Sequence, residues 1–474
     1  MNTNAAEIPI ETGAWAQEEY GDAQLGSKRR TDRLVQMAAR GAHRPSGIVS
    51  EVFNDSAELE GAYRFVRNPH VDHVEIGAAA HRATARRASG APFVFVPVDG
   101  SNITVPWAAG TEAFGPVGTS SQCVRGVEVM SAIAVHPNGT PLGLCGQQWW
   151  VRFDRGAKKK PKSHKPRPLH KKETQHWLKC IQQTERAFSV ENDGVRRWYQ
   201  CDAGADFREM LRWMAETDQL ATVRAAQDRR LDPSDDDYIR YLWEYVTATD
   251  ILGTYEFEVP EGRKRQARTA RIEVRATAVP IRLYDSWNKK ADSVSLTAVL
   301  AREAATAPQD EDPIEWLLLT NAAVTSFEDA VQVIQGYGLR WRIEAFHRTW
   351  KSGCNVEDTL MEDPAHLIVW ATILAGVAMR IERLTHLARQ QPELPATEEL
   401  TKTEIDAIIV LRKPKNQQRG DFVTIGEAVQ WIAELGGYRG KSSGGPPGTV
   451  VIGRGLRDVA IAAQVLRNLD PSPS

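Results

Sequence analysis

The chain has 474 residues, is 42% hydrophobic and 25% charged, and carries a formal net charge of −2. That length supports roughly three domains, while the near-neutral balance excludes a protein that is basic throughout, so an acidic partner would have to meet local basic patches. Five cysteines (Cys123, Cys145, Cys180, Cys201 and Cys354) lie scattered without a C-x-x-C pair, which argues against a disulfide framework or zinc site and for a reducing compartment.

No basic-then-apolar leader pattern opens the chain, and the longest apolar run, "LIVWATILAGVAM" (367–379), is shorter than the roughly 18 residues of a membrane span. The expectation is a soluble cytoplasmic protein with no membrane partner.

Residues 1–72 read as helical and locally basic. "SKRRTDRLVQMAAR" (27–40) places Lys28, Arg29, Arg30 and Arg33 at a helix start, where cations oppose the macrodipole. A phosphate backbone outside the helix would resolve that conflict, and a solvated charged face is the alternative. A second helix signal ends at Asn68-Pro69.

From residue 91 the pattern turns to strands. "FVFVPVDGSNITV" is a β-rich run crossed by Asp99, and "VEVMSAIAVHPNGTPLGL" reads as two strands joined at Asn138-Gly139. An Asp within an apolar strand is costly to bury unless paired or bound to metal. "RRWYQCDAGADF" is a short strand ending in Asp202, followed by a helix in which Asp206 reads as a first-turn acid. Between them, residues 151–172 hold ten Lys or Arg against one Asp. This proline-broken stretch is either a loop that tracks a polyanion or a solvated charge run.

Residues 235–312 read as a β insertion in an α/β domain, after which "EWLLLT" resumes an apolar strand. Beyond residue 371 the chain reads as helical, interrupted by the Gly/Ser/Pro-rich loop at 436–448.

"YGLRWRIEAFHRTWK" (337–351) reads as one helix. At about 100° per residue, Tyr337, Arg340, Glu344, Arg348 and Lys351 share one stripe, while Leu339, Ile343, Phe346 and Trp350 share an apolar one. Solvated i,i+4 pairs explain part of the polar stripe. The three acids Asp99, Asp202 and Glu344, drawn from separate elements among cations, suit two divalent cations such as Mg²⁺ acting on a phosphodiester.

These blocks resemble the bacterial cut-and-paste DDE transposases of the Tn-five and insertion-sequence-four kind. The signature Y-x2-R-x3-E-x6-K is filled by Tyr337, Arg340, Glu344 and Lys351. "LGSKRRTDRLVQMAA", "EGAYRFVRNPHV", "CDAGAD", "EWLLLT" and "GPPG...RGLRD" follow in the family's order. The resemblance implies an RNase H-like mixed sheet flanked by helices with a β insertion, a helical DNA-binding domain (1–72), a catalytic domain (73–370) and a helical dimerisation domain (371–474).

It also implies Asp99, Asp202 and Glu344 as ligands of two Mg²⁺ ions, with Mn²⁺ as a substitute. Tyr337, Arg340, Lys351 and Arg348 would contact the DNA strand, Trp316 would stack on a flipped base, and Arg224 would be a cationic DNA contact. The function so implied is cut-and-paste transposition by a homodimer on double-stranded DNA, with end nicking, hairpin formation and resolution, and strand transfer. A nuclease without strand transfer and a catalytically silent DNA-binding regulator are the alternatives. Gly100 stands where the family carries a hydroxyl residue, and "KSSGGPPG" lacks an acid common in that block.

Overall fold

The computed structural model describes residues 10–53, 55–110, 112–118, 124–152, 166–232, 241–259, 261, 266–304, 311–440 and 445–469. Cys123 and residues 153–165 of the expected basic loop lie outside that set.

Five helices come first: α1 (Ile10–Tyr20), α2 (Lys28–His43), α3 (Val49–Val52), α4 (Ser56–Val66) and α5 (His73–Arg87). Side-chain caps fix two of their starts. Asp55 accepts from the backbone N–H groups of Ala57 and Glu58, and Asp72 accepts from that of Val74. The buried side of α2 includes Leu34, Val35, Met37 and Ala38.

The strands are β1 (Phe93–Thr104), β2 (Gly115–Pro116), β3 (Arg125–Val135), β4 (Pro141–Trp150), β5 (Arg196–Cys201), β6 (Leu220–Arg224), β7 (Gly253–Val259), β8 (Arg268–Asp285), β9 (Lys290–Glu303) and β10 (Glu315–Thr320). They form one mixed sheet in the order β2-β3-β1-β5-β6-β10-β9-β8-β7, with β4 also paired to β3. The β1–β3 and β3–β4 pairs are antiparallel, whereas β1–β5 and β5–β6 are parallel. Helices α6 (Gln175–Glu191), α7 (Arg208–Glu216) and α8 (Leu242–Thr247) cross between strands. The inserted β7–β9 extend the same sheet, because β9 pairs with β10, which in turn pairs with β6.

Alternation along the central strands divides the core in two. Val94, Val96 and Val98 of β1, with Tyr199 and Cys201 of β5, pack with α6 and α7 on one face. Phe95, Ile103 and Trp198 point to the other, where α9 (Phe327–Gly338), α10 (Trp341–Arg348) and α11 (Pro364–Gln390) lie. The N-terminal helices and the last three, α12 (Lys402–Arg412), α13 (Ile425–Leu435) and α14 (Thr449–Leu469), join this second core. Residue 371 falls inside α11, whose contacts run to α2, α5, β4 and α13. By length and apolarity α11 could span a membrane, but 83% of its most apolar window is buried in the protein.

Two sequence expectations change. Asp206 is not a first-turn helix acid. It is buried, ion-paired with Arg229 at 2.6 Å, and accepts from the backbone of Ala226 and Gln227, so it ties the loop after β5 to the loop after β6. The run 337–351 is not one helix. Helix α9 ends at Gly338, α10 begins at Trp341, and a π turn occupies Thr349–Gly353. Gly336 and Gly338 weaken the helix there, and the Phe95 ring takes the space a Cβ on Gly336 would need. The single helical wheel therefore does not carry from Tyr337 to Arg340.

Four buried histidines make the fold acid-sensitive. Burial pushes His81 and His347 down to about 3, and His176 and His386 down to about 4. Their rings take up protons near pH 6.5 when the chain unfolds, but only near pH 3 to 4 when folded. This stabilisation is complete above about pH 6.5 and is lost as the pH falls. Thermal melting should drop progressively from pH 7 to pH 5, and His81→Gln should reduce that dependence; a flat profile in the wild-type protein would contradict it.

Candidate active site

The geometry begins with strand register. Val98 of β1 lies opposite Cys201 of β5 in a parallel pair, so Asp99 and Asp202, the next residue on each, emerge side by side at strand spacing, about 4.8 Å. Both are partly buried. Asp99 Oδ1 accepts from the Gly100 N–H at 2.7 Å, and Asp202 Oδ1 accepts from the Gly204 N–H at 2.8 Å. Burial, then the Asp202 charge, raises the Asp99 carboxyl to about 6, against the opposing pull of Arg340.

The third acid arrives on α10. Arg340, at the junction of α9 and α10, donates to Asp99 Oδ2 at 3.0 Å and to Glu344 Oε1 at 2.7 Å. One guanidinium thus joins a strand carboxylate to a helix carboxylate. Its side chain is 9% exposed and stacks over the rings of Tyr337 and Trp341, which restricts where the fork can point. Among the described residues, no group of three or more His, Cys, Asp or Glu side chains lies close enough to hold a metal ion as they stand. The Arg340 fork occupies the position between Asp99 and Glu344.

Other expected residues divide. Tyr337 is buried at 3% exposure and packs edge-to-face on Trp316, with ring centroids 5.2 Å apart. Burial raises its phenol pKa, while Arg340 and Arg224 draw it down. Tyr337 is therefore placed to support Trp316 and Arg340. Trp316 keeps partial exposure, and Arg224 is exposed at the end of β6. Arg348 is exposed at the end of α10.

Lys351 lies in the π turn, 3.5 Å from Glu357 Oε1. Glu357 accepts from the backbone N–H and the hydroxyl of Thr104, both at 2.8 Å. Asn355, with φ of 49°, turns the chain back so that Glu357 reaches β1. The sequence reading missed Glu357, because its distance from the signature in sequence gives no helical relation; the π turn and the left-handed Asn355 together bring it back.

At the N-terminus the expected basic cluster is partly spent internally. Arg30 donates to the Leu25 carbonyl, Lys28 pairs with Asp32, and Arg33 lies against Gly61. Arg29 remains exposed. Residues 12–71, which contain all of these, match the family described as transposase DNA-binding. That match supports a transposase with DNA as its partner.

Replacing Arg340 tests the bridge. Arg340→Met should lower thermal stability by about 1–3 kcal/mol, because two partly buried carboxylates lose their shared donor. Arg340→Lys should restore little of it, since a single ammonium cannot span both oxygens in a fixed fork. A melting temperature unchanged in both variants would mean that the bridge contributes nothing.

Proposed function

We propose that the chain is a DDE-type DNA transposase that performs cut-and-paste transposition by metal-dependent phosphoryl transfer. The observation that carries this reading is the register pair Asp99–Asp202 with Glu344 joined to it through Arg340, in a chain whose residues 12–71 match a transposase DNA-binding family. The strand order β4-β3-β1-β5-β6, with its three antiparallel strands followed by two parallel ones, supports an RNase H-like core.

The donor chemistry fits divalent magnesium or manganese: three carboxylates, all hard oxygen ligands, with Asp99 raised by burial and then by the Asp202 charge, both of which a cation would relieve. Asp99, Asp202 and Glu344 would hold the ions once the Arg340 fork withdraws from between them. Two such ions would activate a water or 3'-OH nucleophile and steady the leaving oxygen.

The protein's own groups do the rest. Arg340, released from the carboxylates, becomes a bidentate donor for a phosphate. Tyr337 backs that guanidinium and fixes the plane of Trp316, which would receive an unstacked base. Lys351, Arg348 and Arg224 supply positive charge along the strand. The sequence of steps is a nick by water, attack of the freed 3'-OH on the opposite strand to form a hairpin, reopening by water, and joining to target DNA. The exposed stripe Ile461, Val465 and Leu469 of α14, spaced every four residues, supports a second copy of the chain as partner.

Asp99→Ala, Asp202→Ala and Glu344→Ala should each abolish Mg²⁺-dependent DNA cleavage while leaving DNA binding largely intact, because affinity comes mostly from phosphate contacts elsewhere. Gel-shift and cleavage assays check this, and retained cleavage removes that residue from the triad.

Trp316→Ala should still nick but accumulate unhairpinned ends, since a stacking platform contributes roughly 1–3 kcal/mol per base. A time course beside a melting curve separates this from a packing defect, which slows every step in parallel.

In the N-terminal region, Arg29→Ala should flatten the salt dependence of DNA binding by roughly one unit of log-log slope. Arg30→Ala should instead act through stability, given its bond to Leu25; the reverse pattern would overturn this division.

A further inference from the structure

Arg342 stands two residues before Glu344 on α10, about 200° around the helix from it. It lines a cavity of about 320 Å³ that opens to the surface beside the β3–β4 turn, with Phe93, Phe95 and Leu339 as apolar wall and Asn138, Gln335 and His386 as polar wall. No acidic residue lines it among the described residues.

Among the described residues the Arg342 guanidinium makes neither a hydrogen bond nor an ion pair; only the backbone N–H donates, to the Leu339 carbonyl. The nearby carboxylate is Glu382, which is buried and already accepts from the Thr349 hydroxyl. His386 is 4% exposed, and its Nε2 has no protein partner. Burial and the cations Arg342, Arg389 and Arg383 keep that ring neutral, so it has one N–H to donate. Gly139, with φ of +89°, lets the turn close over both groups. A Cβ there would lie 3.7 Å from His386 Cε1 and 3.8 Å from Arg342 Nη2.

A buried imidazole nitrogen without a partner is costly unless something satisfies it, and beside it stands a half-buried guanidinium with no protein acceptor. The group that satisfies both is an oxyanion, and the guanidinium fork matches phosphate geometry. We propose that this cavity is a phosphate-binding site that takes a backbone phosphodiester of bound DNA.

The proposal rests on the DNA-binding reading and deepens it. Phe95 in the cavity wall and Asp99 lie on one strand, four residues apart, which is about 13 Å. The α10 segment would then face the reacting phosphate with Arg340 on one side and a second phosphate of the same duplex with Arg342 on the other.

The test uses the whole protein and a short DNA duplex, with affinity measured across a salt series. Arg342→Gln should reduce the magnitude of the log-log slope by about one, the value for one lost phosphate contact, with melting unchanged. Gln335→Glu, at an exposed position that keeps Arg342, should weaken binding by placing a like charge in the cavity.

An unchanged slope and affinity in both folded variants would overturn the site. If the wild-type protein itself shows no salt-dependent DNA binding, the DNA reading fails instead. Calorimetry with inorganic phosphate identifies the occupant. Uptake by the wild type that Arg342→Gln abolishes, with an unaltered DNA slope, would assign the cavity to free phosphate and overturn the DNA assignment.

Discussion

Two carboxylates held side by side on neighbouring parallel strands are the constraint around which this protein is arranged. The register of Val98 with Cys201 leaves Asp99 and Asp202 no freedom to separate, and partial burial denies them full solvation. Burial and then the Asp202 charge raise the Asp99 carboxyl. Something positive must enter, and in this structure it is Arg340.

The position of Arg340 explains why the signature segment is broken. An uninterrupted helix from Tyr337 to Lys351 would put Tyr337 and Arg340 on one exposed stripe. Ending α9 at Gly338 instead drops Tyr337 into the core beneath Trp316 and places Arg340 where its fork reaches both Asp99 and Glu344. The back of α10 is fixed by Ile343 and Phe346, and Phe346 stacks on Trp350, which in turn meets Trp149 of β4 edge-on. Beyond Trp350 the π turn and the left-handed Asn355 return the chain to Thr104 through Glu357. Both ends of the segment are therefore tied to β1, the strand that carries Asp99.

Much of this could be read from the sequence because local signals agreed with the final arrangement. The apolar run of β1, the Asn138-Gly139 turn and the strand ending at Asp202 are short-range patterns, and each element forms near where its pattern lies. What escaped the reading was set by long-range contact. Gly338 is a local sign of weakness in the signature segment, but that the preceding turn must keep a glycine at 336 to admit the Phe95 ring is a contact from β1 that residues 337–351 do not announce. Asp206 reads as a helix acid until Arg229, more than twenty residues on, claims it. The basic N-terminal cluster reads as uniformly available for phosphate, yet Arg30 serves the loop before its own helix while Arg29 stays exposed.

The break in the signature segment also changes what α10 can transmit. Eight residues of helix are about 12 Å long, short enough to move as one rigid piece if its ends allow. Its N-terminal end is held by a guanidinium bridge between charges and its C-terminal end by packing and the Glu357 contacts. The first anchor is electrostatic and yields to competing charge; the second is apolar and hydrogen-bonded and does not. On the transposase reading, ions arriving at the carboxylates would act on the end of α10 next to Arg340, while the packing at Trp350 holds the segment on the sheet. The same end carries Arg342 on its opposite side, so the Asp99 bridge and the cationic cavity lie within a single helical turn of each other.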